Sequence, residues 1–232
     1  ENAFSECRAL RYVRIPYGVT TIGRAAFNGN LLGSINIPNS VTTIDDFAFN
    51  GNLALTSVNI PYGVTKIGKN AFADCQSLTS ITIPSNVTEI GKGAFENCWF
   101  LASITISNGV KKIGKRAFKK CHIASITIPD SVTTIGKQAF ADCAWLTSIT
   151  IPNSVTTIGE EAFSKTPLRD IAIPNGLTEI SEKAFKDCTH LKTVKIPDGI
   201  TTIGPSAFAD CTSLQSITIP NSVTTIGMDA FS

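Results

Sequence analysis

The chain has 232 residues, of which 43% are hydrophobic and 16% charged, and its formal net charge is +2. That length holds one or two domains, with ample apolar material for a core. The balance is too close to neutral to imply nucleic acid as the main partner, and none is expected; there is no apolar run of about 18 residues that would span a membrane.

The opening ENAFSEC lacks the basic and apolar regions of a signal peptide, and both ends of the chain fall inside a repeating unit. An Ala-Phe pair ends at Phe4, Phe27, Phe49, Phe72, Phe95, Phe118, Phe140, Phe163, Phe185, Phe208 and Phe231, at intervals of 22 or 23 residues. Eleven of the 13 Phe residues thus share one repeat position. Such a period identifies a stacked array of supersecondary units. Residues 1–232 are accordingly expected to be a single solenoid, a fragment of a longer array cut mid-repeat at both ends and without capping motifs.

One unit, Leu78 to Phe100, reads LTSITIPSNVTEIGKGAFENCWF. Ser80-Ile81-Thr82-Ile83 alternates polar and apolar, so it predicts a short strand with Ile81 and Ile83 inward. Pro84 ends that strand, and Ser85-Asn86 supply the turn. Val87-Thr88-Glu89-Ile90 is a second short segment, expected to be extended although its apolar pair is spaced by three. Gly91 marks a tight turn. Ala94-Phe95-x-x-Cys98 makes a return, expected to be 3₁₀ or a single helical turn, with Ala and Phe filling the far side of the core. The three 22-residue intervals each lose one residue between the Phe and the next strand, which places a loop there.

The few large side chains of one coil cannot offset the entropy of ordering its backbone. Stacking must therefore supply the stability, through hydrogen bonds and side-chain ladders shared between neighbours. About ten coils spaced by about 4.8 Å give a rod roughly 50 Å long. The expected fold is a β-rich repeat solenoid, a right-handed superhelix of about ten 22–23-residue coils with a parallel sheet on its concave side.

The unit I-x-I-P, V-T-x-I-G, A-F, C resembles the BspA-like, or Treponema-type, class of leucine-rich repeats along the whole chain. Its departures are Ser107 in place of Pro, and Asp45 and Ser181 in place of Gly. The resemblance implies a cell-surface or secreted protein of a bacterium or parasitic protist. It also implies adhesion to host matrix proteins, to host cells or to other microbes.

The seven cysteines Cys7, Cys75, Cys98, Cys121, Cys143, Cys188 and Cys211 all lie three residues after the repeat Phe, where other coils carry Asn30, Asn52 and Thr166. This position wants a small buried group able to bond to turn backbone, so a ladder of buried free thiols is expected. Stacked neighbours about 5 Å apart do not forbid a disulfide, but the count is odd and one bridge would disrupt a uniform ladder. Zinc-type C-x₂₋₄-C pairs are absent, and no cofactor is expected. His122 and His190 follow Cys121 and Cys188, yet the repeat accounts for both cysteines and no orienting carboxylate recurs beside either His. With neither a G-x-S-x-G elbow nor a phosphate-binding Gly loop, the chain does not read as an enzyme.

The outward residues of the first strand define a candidate binding face. Its middle coils carry a flat array of Ser and Thr, which β-propensity and cross-strand hydroxyl pairing also explain. Charge and aromatics gather towards the ends: Arg11, Tyr12, Arg14 and Tyr17 at one, Arg169, Asp170, Lys192 and Lys195 at the other. The first group, with its aromatics and arginines, is the better anchor. Lys111, Lys112, Lys115, Arg116, Lys119 and Lys120 form a basic outer patch, which is either a solvated face compensated elsewhere or a seat for an anionic polysaccharide or acidic protein. Trp99 and Trp145 either pack against the loop edge or anchor a partner. The expected function is adhesion to an extracellular-matrix or cell-surface protein or glycan, the alternative being a spacer that projects another domain from the cell. Unpaired strand edges at both ends also favour end-to-end self-association.

Overall fold

The computed structural model describes all residues, 1–232, and contains no helix. Each coil has three sides. The first is the strand anticipated from S-I-x-I, for example Ser34–Asn36, Ser57–Asn59, Ser80–Ile83 and Ser103–Ile106. The second is the two-residue strand at the end of V-T-x-I, for example Lys66–Ile67, Glu89–Ile90 and Lys112–Ile113. All pairing is parallel and in register by repeat position, so that Ile67 faces Ile90 and Ile90 faces Ile113.

The second segment, whose pattern is the less regular, builds the longer sheet. Seven strands from Thr21–Ile22 to Thr157–Ile158 run unbroken, and three more, from Glu179–Ile180 to Thr225–Ile226, form a second sheet. First-side strands associate only in pairs. Two of the three breaks, between Ser103–Ile106 and Ser125–Thr127 and between Ser148–Thr150 and Asp170–Ala172, fall where the coil is 22 residues long and the missing residue shifts the approach of the strand. The break between Ser57–Asn59 and Ser80–Ile83 follows a full coil and has no such cause. Proline stops the first strand by removing a donor; at Ser107, which lacks that restriction, the backbone N–H donates to Ile83 O at 3.1 Å and carries the ladder one step further. The P-x-x-V turn then closes, as in Val87 N–H to Pro84 O at 3.1 Å.

The third side corrects the expected 3₁₀ or one-turn helical return. It is a run of tight turns that alternates its donors between two duties. Asn70, Phe72 and Asp74 N–H reach forward to Lys92, Ala94 and Glu96 O of the next coil, all at 2.8 Å, while Ala71, Ala73 and Cys75 N–H close local turns. The path demands left-handed backbone twice per coil, before and after the Ala-Phe pair, even at Phe47 (φ 59) and Arg116 (φ 57). Conformations of this kind cost about 1–2 kcal/mol for non-glycine residues, and the inter-coil hydrogen bonds hold them in place.

Sixty buried residues form one apolar cluster from Ile22 to Ala230. Its spine is the Phe ladder, whose consecutive rings are stacked with centroids 5.2 to 5.6 Å apart. Phe4 and Phe231, the end rungs, are exposed.

Candidate functional site

The interior of the coil is committed to structure. Cys75, Cys98, Cys121, Cys143, Cys188 and Cys211 are buried and unbridged, whereas Cys7 is exposed. Each buried thiol donates to the carbonyl of the repeat Phe one coil earlier: Cys98 Sγ to Phe72 O at 3.1 Å, Cys121 Sγ to Phe95 O at 3.2 Å, Cys188 Sγ to Phe163 O at 3.2 Å. Asn52 does the same work with Nδ2 bonds to Phe27 O and Phe49 O. Burial pushes the Cys75 and Cys143 thiols up from 9.0 to about 12 and holds Cys98 and Cys121 well above their ordinary range. Thiolate is the nucleophilic form, so these sulfurs are inert at neutral pH. A thiol reagent at pH 8 is therefore expected to modify Cys7 alone in the folded chain and all seven cysteines after denaturation. Rapid native modification of a second cysteine would contradict the ladder.

His122 is not aimed at a cysteine. Its ring lies between Phe100 and Trp145, 5.9 Å from each centroid. Together with Trp99 these residues form an aromatic strip on the loop edge of three consecutive coils, with Trp99, Phe100 and Trp145 exposed by 47%, 61% and 60%. The sequence singles out the two tryptophans, and His122 only beside Cys121; Phe100 and His122 join the tryptophans once the coils are superposed on the repeat Phe. His190 lies beside Thr189, with Nδ1 3.2 Å from its hydroxyl.

The two ends of the first side differ. Tyr12, Arg14 and Tyr17 converge with Ser34, Asn36, Pro38 and Asn39 around an open groove of about 460 Å³, and Tyr12 and Tyr17 are 71% and 86% exposed. Arg11 is exposed beside this groove without lining it. At the far end the pairing of Asp170–Ala172 with Thr193–Lys195 brings Asp170 opposite Thr193, whose hydroxyl donates to its carboxylate, and Lys195 opposite Ala172. Arg169 O accepts from Lys192 N–H at 2.7 Å, so these two cations are neighbours on adjacent coils. Lys192 also borders a polar hollow of about 580 Å³ with Thr193, Thr212, Ser213, Gln215 and Ser216. Between the two ends, Ser80, Thr82, Ser103, Thr105, Ser125 and Thr127 are exposed. Tyr62, which the sequence reading passed over, repeats the Pro-Tyr-Gly turn of Tyr17 two coils later and is likewise exposed.

The basic patch is divided by the corner of the coil. Lys111 and Lys112 stand exposed on the second side and Lys115 half-buried at the glycine corner, whereas Lys119 and Lys120 lie beyond Phe118. Lys112 pairs with Glu89 at 3.3 Å, Lys119 with Asp142 at 3.5 Å, and Arg116 Nε donates to Gln138 at 2.7 Å.

Three hydrogen-bonded sides around one apolar core, with polar side chains projecting from every face, define a leucine-rich-repeat solenoid, a scaffold typical of binding proteins. The model of the BspA type leucine rich repeat region matches residues 1–124 and 111–232 in 6 copies, and the chain belongs to that family. Solved structures agree. A leucine-rich repeat protein from Bacteroides ovatus is 29% identical with a TM-score of 0.74, over 97% of this chain and 77% of that one. The leucine-rich repeat protein of T. pallidum is 27% identical with a TM-score of 0.67, over 84% and 83%. The pneumococcal vaccine antigen PcpA, 20% identical with a TM-score of 0.58 over 90% of this chain and 64% of its own, shares the fold. No protein of curated function matches the sequence.

Proposed function

We propose that this chain is the adhesive part of a protein displayed on, or released from, a microbial surface. It binds a protein or glycan of the extracellular matrix or of a neighbouring cell, and it does so as a scaffold rather than as a catalyst. The carrying observation is the groove at Tyr12, Arg14 and Tyr17, where two largely exposed tyrosines flank an arginine. Tyrosine and arginine are the residue types that concentrate binding energy at interfaces, because they combine a rigid apolar body with a hydrogen-bonding tip. Membership in the BspA type leucine-rich-repeat family supports the same reading, and the charged residues Arg169, Asp170, Lys192 and Lys195 provide a second contact zone on the same side.

The test is binding of the folded chain to immobilised matrix proteins, matrix glycans and whole cells. Saturable binding to at least one is expected, and Tyr12→Ser with Arg14→Ala should weaken it by about 2 kcal/mol, roughly 30-fold. A flat response across the panel with native protein would end this proposal. The middle coils, whose outward first-side residues are short hydroxyls, favour a second role as a spacer holding the two end groups apart.

A further inference from the structure

The second side and the glycine corner that follows it carry a charge pattern that the repeat does not require. Backbone hydrogen bonds place Lys69, Lys92, Lys115 and Lys137 at one position of four consecutive coils: their carbonyls accept in turn from the N–H groups of Phe47, Asn70, Gly93 and Arg116, each one coil earlier. The adjoining row reads Lys66, Glu89, Lys112, Thr134, in register by strand pairing. The third row reads Thr65, Thr88, Lys111, Thr133. These twelve positions hold seven lysines and one glutamate, a local charge of +6 in a chain whose total is +2, so all other positions together sum to −4. The charge is segregated, not merely abundant.

Two features set this stripe apart from an ordinary solvated face. Lys111 occupies a row where every other coil has threonine, from Thr20 to Thr224, and there the hydroxyl commonly donates to the preceding coil, as Thr88 Oγ1 does to Thr65 O at 3.4 Å. Lysine gives up that bond. In addition, Lys66, Lys69, Lys92, Lys111 and Lys115 form no ion pair; Lys69 lies instead over the Phe47 ring, 5.3 Å from its centroid. Ion pairing is confined to Lys112 with Glu89, inside the stripe, and Lys137 with Glu160, at its boundary. Acids end the main row on both sides, at Asp46 and at Glu160 and Glu182. A line of unpaired like charges at coil spacing repels itself, and a complementary polyanion relieves that repulsion.

We infer that the lysine rows of coils three to six, centred on Lys92 and Lys115, seat a linear anionic polysaccharide lying along the solenoid axis. Cations recur about every 4.8 Å along the stack. An extended acidic peptide offers same-face charges about every 6.6–7 Å, and a nucleic-acid strand offers phosphates about every 3.4 Å. One saccharide unit of an extended chain spans close to one coil, so charged sugars keep step with the lysines. The twelve positions carry no aromatic side chain on which bases would stack. This inference rests on the reading of the chain as a binding scaffold but uses a different side from the tyrosine groove.

The experiment measures binding of the full chain to dextran sulfate, with uncharged dextran as the blank and polyglutamate and duplex DNA as competitors, over a range of salt. Binding to the sulfated polymer alone is expected, weakening linearly with the logarithm of salt. Lys92→Gln with Lys115→Gln should lower affinity by about tenfold and flatten the salt slope by roughly one per lysine. The Lys69→Gln, Lys92→Gln pair should act alike. The control pair Lys183→Gln, Lys186→Gln should change affinity by less than about twofold, and thermal melts show that all variants fold. Equal binding by the lysine-row and control variants, or tighter binding of polyglutamate or DNA, would overturn the assignment. Loss of matrix binding in the tyrosine variants with dextran sulfate binding intact, or the reverse, separates failure of one surface from failure of the other.

Discussion

Replacing Phe118 by Ala is expected to lower stability by about 4–5 kcal/mol. The ring is fully buried, and truncation of such a side chain costs about 3–5 kcal/mol in transfer and cavity terms. It is also stacked on both faces, 5.5 Å from Phe95 and 5.5 Å from Phe140, and each stacked pair contributes about 0.5–1.5 kcal/mol beyond burial. Position along the ladder decides the rest. Phe231 is partly exposed and stacks only on Phe208, so Phe231→Ala should cost about 1 kcal/mol. A gap at Phe118 also cuts the stack near its middle, and because each coil contacts only its neighbours, the two halves should lose cooperativity. Urea denaturation followed by circular dichroism should show a broadened or two-step transition for Phe118→Ala and a single, slightly shifted one for Phe231→Ala. Equal losses at both positions would mean that the ladder is a set of independent side chains.

The period, the inward Ile pair, the Phe spine and the buried Cys position were legible because each is a side-chain preference repeated at a fixed interval. The return was not. Its pattern of Ala, Phe and Cys reads as a helical turn, but the backbone there answers to donors in the next coil, which a single unit does not contain. That is why Phe47 and Arg116 accept left-handed conformations no propensity would assign them. The prominence of the second side was hidden for a related reason. Two-residue strands such as Glu89–Ile90 are too short to alternate visibly, yet stacking makes seven of them a sheet.

Of the candidate surface, Tyr12, Arg14 and Tyr17 stood out by residue type alone, and the structure adds the groove they share with Ser34 and Asn36. The lysine rows were only partly visible. Reading along one coil collects Lys111 to Lys120, which the fold then divides around a corner, whereas reading across coils at one repeat position finds Lys69, Lys92, Lys115 and Lys137. In a solenoid, neighbours in space are residues one repeat apart, so a contiguous cluster in sequence is a poor guide to a surface.

The glycine after the second strand makes the same point energetically, and its substitution carries the second large effect. A Cβ built on Gly114 would lie 2.6 Å from Ile90 O and 2.8 Å from the carbonyl carbon of Gly91. Both are backbone atoms of the preceding coil, so neither can rotate away. Gly91, Gly136 and Gly159 meet the same obstruction. Gly114→Ala must therefore push two coils apart at the point where Gly114 N–H donates to Ile90 O at 2.9 Å. A loss of about 1–3 kcal/mol is expected from the overpacking, measured as a fall in the denaturation midpoint. The two natural exceptions differ: at Asp45 the backbone N–H still donates to Ile22 O at 3.0 Å and the strands stay paired, whereas at Ser181 that pairing is lost. The Ser181 Cβ occupies the glycine position, and the hydroxyl, not a backbone N–H, reaches Ile158 O at 2.6 Å. The second-side sheet is interrupted there, between Thr157–Ile158 and Glu179–Ile180. Ser181→Gly should accordingly cost little, about 1 kcal/mol or less, because the lost hydroxyl bond is offset as the two sheets close into one. If Gly114→Ala proved neutral while Ser181→Gly was strongly destabilising, close approach of the coils would not be what the glycine row provides.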